Sequence, residues 1–486
     1  MAGPSAIRGL RFAVRAPVIA KYLGQAFLAL AALTSVPATV AAVSGNSDVA
    51  LRYLFVILVF AIYGGFTARI RVPPNMQRNE ALVITALVFT LSAVAMSFPL
   101  MGYGIAFIDA LFEAVSGVTT TGLTTLGNLE ERPVAFLFAR AWLQWVGGLG
   151  VLALVLALLI EPGLAARRLG FGGHTDLVGG THSHLRRVAQ VYVIITIIGM
   201  LALLAAGESI LDAIVHGLSA VSTGGFSNHD TSLAGVESTA AQVLITLLSL
   251  AGAISFSWYY LGYYRHLSSL LREPQFRALL VLCVASVVTL FCFMSMANPE
   301  RVAENFADAA FVGISAQTTT GFSTLPLAEL DAGSKLTLIV SMFIGGEVGS
   351  TSGGLKVLRL MVLLSLVRLL VQQTRIPAAG RIPATVGGSP LKSSEVNWTV
   401  ALLVVYLLVM LLSWALFLAS GHAPLDALFD VVSALSTSGL STGVVSAGLD
   451  PALKAVLCLV MLMGRVEVIA VLVLLYPRTW LGRRRG

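Results

Sequence analysis

The chain reads as an all-α polytopic membrane protein: four similar units of helix, short helix, polar segment and helix, preceded by two extra N-terminal spans. Three observations predict this. Of the 486 residues, 57% are hydrophobic and only 11% are charged, against about 25% charged in soluble domains. A polar Ser/Thr/Gly stretch recurs four times between apolar runs, and such repetition points to similar units placed round one axis. Lys and Arg concentrate in alternate short loops, which is the charge placement of a membrane chain.

A helix needs about 20 apolar residues to cross the hydrocarbon core. On that rule the opening pair of spans covers roughly 16–43 and 51–70. Arg8, Arg11 and Arg15 resemble the basic start of a signal peptide, but the apolar run up to Val43 is too long for one, so it reads as a retained span. The first unit uses 80–98 and 133–160, the second 187–206 and 239–262, the third 276–297 and 335–372, and the fourth 396–419 and 452–476. Expected boundaries are 1–75 for the N-terminal pair and 76–165, 166–270, 271–385 and 386–486 for the repeats.

With the N-terminus in the cytoplasm, most of the 31 basic residues lie inside, among them Arg69, Arg71, Arg167, Arg168, Arg272, Arg375 and Arg483. Glu130, Glu131, Glu237, Asp331 and Asp450 then lie outside, and all four polar segments enter from that side. The net charge of +7 would suit a nucleic-acid binder, but arginines in short loops between apolar runs make no groove-binding face, so no nucleic-acid partner is expected. Cys283, Cys292 and Cys458 all sit in apolar runs and read as packed free thiols.

The recurring segments are Thr119 to Leu123, Ser222 to Phe226, Thr318 to Phe322 and Ser436 to Leu440. Aligned on the glycine, every copy has Thr two places before it (Thr120, Thr223, Thr319, Thr437) and Ser six places before it (Ser116, Ser219, Ser315, Ser433). An Asp-Ala pair stands upstream of each, starting at Asp109, Asp212, Asp308 and Asp426. Asp is a favoured N-cap, so each short helix is expected to begin there. Such a helix is too short to span and must be re-entrant. Its C-terminal end, roughly half a negative charge, then points to the bilayer centre. Four such ends favour a cation between them. Non-helical backbone at membrane depth is tolerated where it is buried in protein or lines a watery path, and its carbonyls can replace an ion's hydration shell. One such patch alone would read as helix packing; four with the same offsets do not.

With these residues in place, the chain resembles the Trk/Ktr/HKT superfamily of cation transporters, relatives of tetrameric potassium channels folded into one chain. The likeness covers essentially the whole sequence. The two N-terminal spans and the segments Ser222 to Asp230, Gly345 to Lys356 and Met463 to Glu467 are similar to the bacterial TrkH branch. The resemblance implies helix–pore helix–filter–helix repeats with pseudo-four-fold symmetry. It implies a potassium filter made of Thr120, Thr121, Gly122 and Leu123; Thr223, Gly224, Gly225 and Phe226; Thr319, Thr320, Gly321 and Phe322; and Thr437, Ser438, Gly439 and Leu440. K+ would be the transported ion, with no bound cofactor. Some plant relatives that prefer sodium carry Ser at the first filter glycine, so Gly122 favours potassium. A homodimer in the bacterial inner membrane, surrounded by lipid, is also implied, with a cytosolic TrkA-type nucleotide-binding regulatory subunit. Arg375 to Lys392 is a candidate contact surface for it, though positive-inside topology accounts for those charges equally well.

The second span of the third unit is interrupted by Gly345, Gly346, Gly349, Gly353 and Gly354, with Ser350, Thr351 and Ser352 between them and Lys356 after. A phosphate-binding loop fails here, because Leu355 stands where its lysine belongs and apolar spans flank both sides. A polar loop lying across the pathway fits better, and the resemblance implies that it is the gate. Arg465 lies near the middle of the last span, where a charge is costly and usually functional or paired. Glu467, two residues on, would point to the opposite helix face and makes an awkward partner. The family reading puts Arg465 in the pore beside the gate, where it would hinder cation passage. His182 and His184 lie in a cytoplasmic loop, while His216 and His229 are expected to face the outer mouth. No nucleophile–base constellation is visible, so enzyme chemistry is not expected. Two other readings remain: a sodium- or proton-coupled potassium symporter, which would need a titratable group in the pathway where only Glu467 lies mid-span, and a membrane sensor or nucleotide-binding enzyme using the Gly-rich loop.

Overall fold

The computed structural model describes residues 13–73, 76–158, 177–259, 271–375 and 383–481. Two long helices open the chain, α1 (Ala16–Val43) and α2 (Ser47–Thr67). They fold back on each other at Gly45, whose φ of +79° suits glycine. A Cβ on Gly64 would come under 3.0 Å from the backbone oxygen of Gly24. Small residues thus let these helices pack closely, as membrane helices do, and Phe27 stacks on Phe60 at 4.5 Å.

Four units follow. The first holds α3 (Arg78–Leu100), the short α4 (Phe107–Val118) and α5 (Val134–Leu158). The second holds α6 (Leu177–Ala205), the short α7 (Ile210–Val221) and α8 (Thr239–Ala253). In the third come α9 (Pro274–Ala297), α10 (Val302–Thr318), α11 (Ala332–Ile344) and α12 (Val357–Gln373). The fourth has α13 (Ser393–Ala419), the short α14 (Pro424–Leu435), α15 (Pro451–Arg465) and α16 (Val468–Leu475), then a last turn, α17 (Pro477–Trp480). A two-residue hairpin, β1 (Thr385–Val386) with β2 (Ser389–Pro390), lies between the third and fourth units.

Seven described helices are long and apolar enough to cross a membrane, and α15 with α16 makes an eighth path bent by 111°. Three expected spans are therefore not straight helices, the one over 452–476 being this bent pair. The one expected over 239–262 breaks after Ala253, where Ile254 turns extended, and helix resumes at Phe256. The one expected over 335–372 breaks into α11 and α12 around the Gly-rich segment. Outward faces carry large exposed apolar side chains: Leu54, Phe55, Leu58 and Ile62 on α2, Ile194, Ile197 and Leu201 on α6, Leu408 and Leu412 on α13. An apolar belt of that extent on several helices is a lipid-facing perimeter, and the chain is a multi-pass membrane protein. Cys292 belongs to it: this thiol is exposed on α9, not packed as expected, while Cys283 and Cys458 are buried.

The short helices α4, α7 and α14 have 12 residues each, about 18 Å at 1.5 Å per residue and well short of a span. Each packs inside its own unit and also on the unit before it: α7 on α5, α10 on α8, α14 on α11, and α4 on α15. The last of these contacts closes the ring from the fourth unit back to the first.

Candidate functional site

Each short helix ends the same way, and the ending aims the polar segment. In the first unit Thr120 N–H bonds to the Gly117 carbonyl at 2.9 Å and Thr121 N–H to the Ser116 carbonyl at 2.8 Å. The pair recurs with Thr223 and Gly224, Thr319 and Thr320, and Thr437 and Ser438. This is the Schellman ending, which needs a left-handed residue, normally glycine. Here threonine occupies it every time, with φ of 52°, 50°, 53° and 50° at Thr120, Thr223, Thr319 and Thr437. A β-branched residue in that region is a true outlier and costs about 1–3 kcal/mol. Four identical outliers mark four equivalent positions in the fold.

The glycines that follow meet in a closed ring. A Cβ on Gly122 would come under 3.0 Å from the carbonyl oxygen of Gly224, one on Gly225 from that of Thr320, one on Gly321 from that of Ser438, and one on Gly439 from that of Thr121. All four have φ between 76° and 95°. Glycine is therefore required twice, by conformation and by the neighbouring backbone. Outside the ring lies a cavity of about 420 Å³ lined by all four glycines, together with His229 and Asp230. The sequence-derived filter residues thus come together at one place.

Hydrogen bonds explain the repeated Ser. Gly122 N–H donates to Ser116 Oγ at 3.1 Å, Gly321 N–H to Ser315 Oγ at 3.1 Å, and Gly439 N–H to Ser433 Oγ at 3.0 Å. Only in the second unit does this Ser, Ser219, lack a partner. The repeated Asp has a different role from the expected cap. The helices begin earlier, at Phe107, Ile210, Val302 and Pro424. Asp109 and Asp308 instead accept from Thr125 and Thr324 at 2.7 Å, and Asp212 accepts from Asn228 at 2.8 Å. They brace the chain that leaves the polar segment. Asp109 also takes Lys454 Nζ at 2.7 Å and Asp426 takes Lys335 Nζ at 2.8 Å, each from the preceding unit.

Other braces were not visible in the sequence. Buried Glu113 accepts from Arg140 Nε at 2.7 Å and from Thr124 at 2.5 Å, and the Arg140 guanidinium lies 3.9 Å from the Phe226 ring centre. Asp430 accepts from Ser441, Thr442 and Val445. Glu113, Asp430 and Glu347 are all 0% exposed. His216 does not face the outer mouth; it is buried against Ser227 Oγ at 3.0 Å. His229 does line the outer cavity. The side chains of His182 and His184 lie outside the described residues.

Below the ring sits the Gly-rich loop. Thr319 Oγ1 accepts from Gly353 N–H at 2.6 Å and lies 2.9 Å from Ser352 Oγ; Thr223 Oγ1 lies 3.3 Å from Thr351 Oγ1. Gly354 N–H donates to the Ser436 carbonyl at 3.0 Å. The loop therefore bonds to three of the four repeated segments from beneath, while the Thr120 and Thr437 hydroxyls have no partner among the described residues. Close approach explains its composition: a Cβ on Gly353 would come under 3.0 Å from the Ser436 oxygen, and one on Gly345 from the Gly353 oxygen. Gly346 N–H donates to Ser352 Oγ, Gln317 Nε2 to the Gly345 carbonyl, and Ser350 Oγ to the Glu347 carbonyl. Gly349 and Gly354 take φ of 88° and 72°.

Arg465 ends α15 and is 5% exposed. Its Nη1 donates to the Thr351 carbonyl at 2.6 Å, and Nε and Nη2 have no partner among the described residues. Lys356 Nζ donates to the Ser352 carbonyl. Glu467 pairs with Arg359 rather than Arg465. A small cavity under the loop is lined by Gly353, Lys356, Arg359, Tyr406, Arg465 and Glu467. The arrangement stacks the larger cavity, the ring of backbone oxygens, the Gly-rich loop and the smaller cavity lined by Lys356, Arg359 and Arg465.

Comparison with known proteins bears on this geometry. A family model described as TrkH, cation transport protein, matches residues 54–479. The chain is 30% identical over 457 residues to an uncharacterized cation transporter of Methanocaldococcus jannaschii, covering 93% of this chain and 94% of that protein. It is 31% identical over 425 residues to the Trk system potassium uptake protein TrkH of Vibrio parahaemolyticus, covering 84% and 87% of the two chains. The crystal structure of the potassium transporter TrkH from Vibrio parahaemolyticus superposes with a TM-score of 0.86 at 28% identity, covering 96% of this chain and 100% of that one.

Proposed function

This chain belongs to the TrkH family of cation transport proteins, and we propose from that premise that it conducts potassium through the ring formed by Gly122, Gly225, Gly321 and Gly439. The closed ring of glycine-to-carbonyl approaches carries the reading. A dehydrated cation needs several oxygens at once, and here backbone oxygens of four chain segments converge under an outer cavity. The left-handed threonines turn each segment out of its helix into that position.

Gating follows from the same geometry. The loop Gly345 to Lys356 is the gate: Thr351, Ser352, Gly353 and Gly354 hydrogen-bond to the segments they obstruct. Arg465 tethers it through Thr351 and adds a fixed positive charge below the filter. Opening requires those bonds to be exchanged, and a cytosolic nucleotide-binding partner of the TrkA type, acting on a dimer of this chain, supplies the energy. The relatives' names as Trk system potassium uptake proteins support that assignment of ion and system.

Potassium uptake by cells lacking their own uptake systems tests the filter. Gly122→Ser and Gly321→Ser each place a side chain against a neighbouring carbonyl and strain φ, so both should lose growth on low potassium or lose discrimination against sodium. Unaltered uptake and selectivity in both variants would sink the filter assignment.

A further inference from the structure

Gly224 is where the repeated segment breaks its own pattern. The residue before the filter glycine is Thr121, Thr320 and Ser438 in the other units. Gly224 is not among the residues with positive φ, so backbone freedom does not account for it. Space does. A Cβ on Gly224 would come under 3.0 Å from Cδ, Oε1 and Nε2 of Gln144.

Gln144 belongs to α5 of the first unit and is 0% exposed. Its Nε2 donates to the Gly224 carbonyl at 2.5 Å, and its Oε1 accepts from Phe226 N–H at 3.2 Å. One side-chain amide thus bridges the backbone on both sides of Gly225. The other three units have a Ser from their own short helix doing comparable work at the glycine N–H, whereas Ser219 has no partner. The second segment is therefore held from outside its unit.

We propose that Gln144 is a positioning residue for selectivity: it aims the Gly224 carbonyl and, by donating to it, weakens that oxygen as a cation ligand relative to its three counterparts. Gly224 O is also the oxygen that closes the ring against Gly122, so an error in its direction reaches the first segment too. Selectivity by carbonyl ligands depends on their number, position and field strength, and this bond sets two of the three at one position. The inference rests on the filter reading above.

The test is potassium flux into liposomes, with and without competing sodium, per amount of monodisperse protein. Gln144→Met keeps the volume and removes both hydrogen bonds; Gln144→Ala removes both and leaves room. Each should lower potassium-over-sodium discrimination about tenfold, the scale of about one hydrogen bond. Gly224→Ser alone collides with Gln144 and should also lose discrimination. The double variant Gln144→Ala with Gly224→Ser should stay as poor as Gln144→Ala, because the serine fills the vacated space but restores neither bond to the Gly224 carbonyl nor to Phe226 N–H. A role in packing alone would instead give rescue. Wild-type discrimination in either Gln144 variant that yields monodisperse protein overturns the proposal, as does a double variant that regains wild-type discrimination. Gly321→Ser run in parallel separates the two levels: if it too is without effect, the filter reading fails, and if it alone loses discrimination, only the role of Gln144 does.

Discussion

Arg465 shows how much of one residue can be foreseen and how much cannot. A lone arginine in an apolar run is costly enough that function or pairing follows, and two residues' separation disfavours Glu467 on geometry. What no local pattern contains is the actual partner, a backbone carbonyl at Thr351, more than a hundred positions away. Among the described residues only one guanidinium nitrogen finds a partner, and two have none in a buried setting, so the group retains most of its field. Replacing it removes a charge-assisted tether of about 1.5–3 kcal/mol and a repulsive charge on the cation path. Arg465→Ala should therefore raise potassium flux about tenfold or more in reconstituted protein without its partner. A folded variant with unchanged flux would end this account.

Among elements, the short helices and their neighbours teach the same lesson. Their position and their Thr-x-Gly exits were legible because four copies share offsets that no packing patch would reproduce. The role of the Asp was misread, since the first helix starts at Phe107, two residues earlier. In the first turn rather than at the cap, Asp109 reaches Thr125 and, across the unit boundary, Lys454. Side chains of that pair are 4% and 19% exposed, and removing one member of a buried pair strands the other. Lys454→Met should cost about 3 kcal/mol or more and lower the melting temperature in detergent. Arg301→Ala, which breaks an exposed pair with Glu304, should cost about 0.5 kcal/mol or less. Adding Asp109→Asn to Lys454→Met should recover part of the loss, because no unpaired charge remains. Equal melting temperatures for Lys454→Met and wild type would show that the clamp does not hold the units together.

On the scale of the whole molecule, the four units are equivalent at the ring and unlike beneath it. Ring closure needs each short helix to rest on the unit before it, and the contacts of α4, α7, α10 and α14 do so in order. Below the ring, the third unit supplies the Gly-rich loop with Lys356 and Arg359, and the fourth supplies Arg465. Such a molecule has a direction, and the direction makes the last prediction. By the charge pattern of the sequence, the short helices enter from the side of the acidic loops, and Lys and Arg gather in the loops of the other. Charge bias of that kind orients a membrane chain with its basic loops in the cytoplasm. Glu237, exposed just before α8, should then face the outside, and Thr374, exposed just after α12, the inside. Cys292 is exposed on the apolar flank of α9, within the lipid-facing perimeter, where a membrane-impermeant, water-borne thiol reagent does not reach it, so the native background is low. Glu237→Cys should be labelled in intact cells, and Thr374→Cys only after permeabilisation. The reverse pattern would invert the molecule, place the Gly-rich plug on the outer side of the ring, and rule out a cytosolic partner acting on it directly.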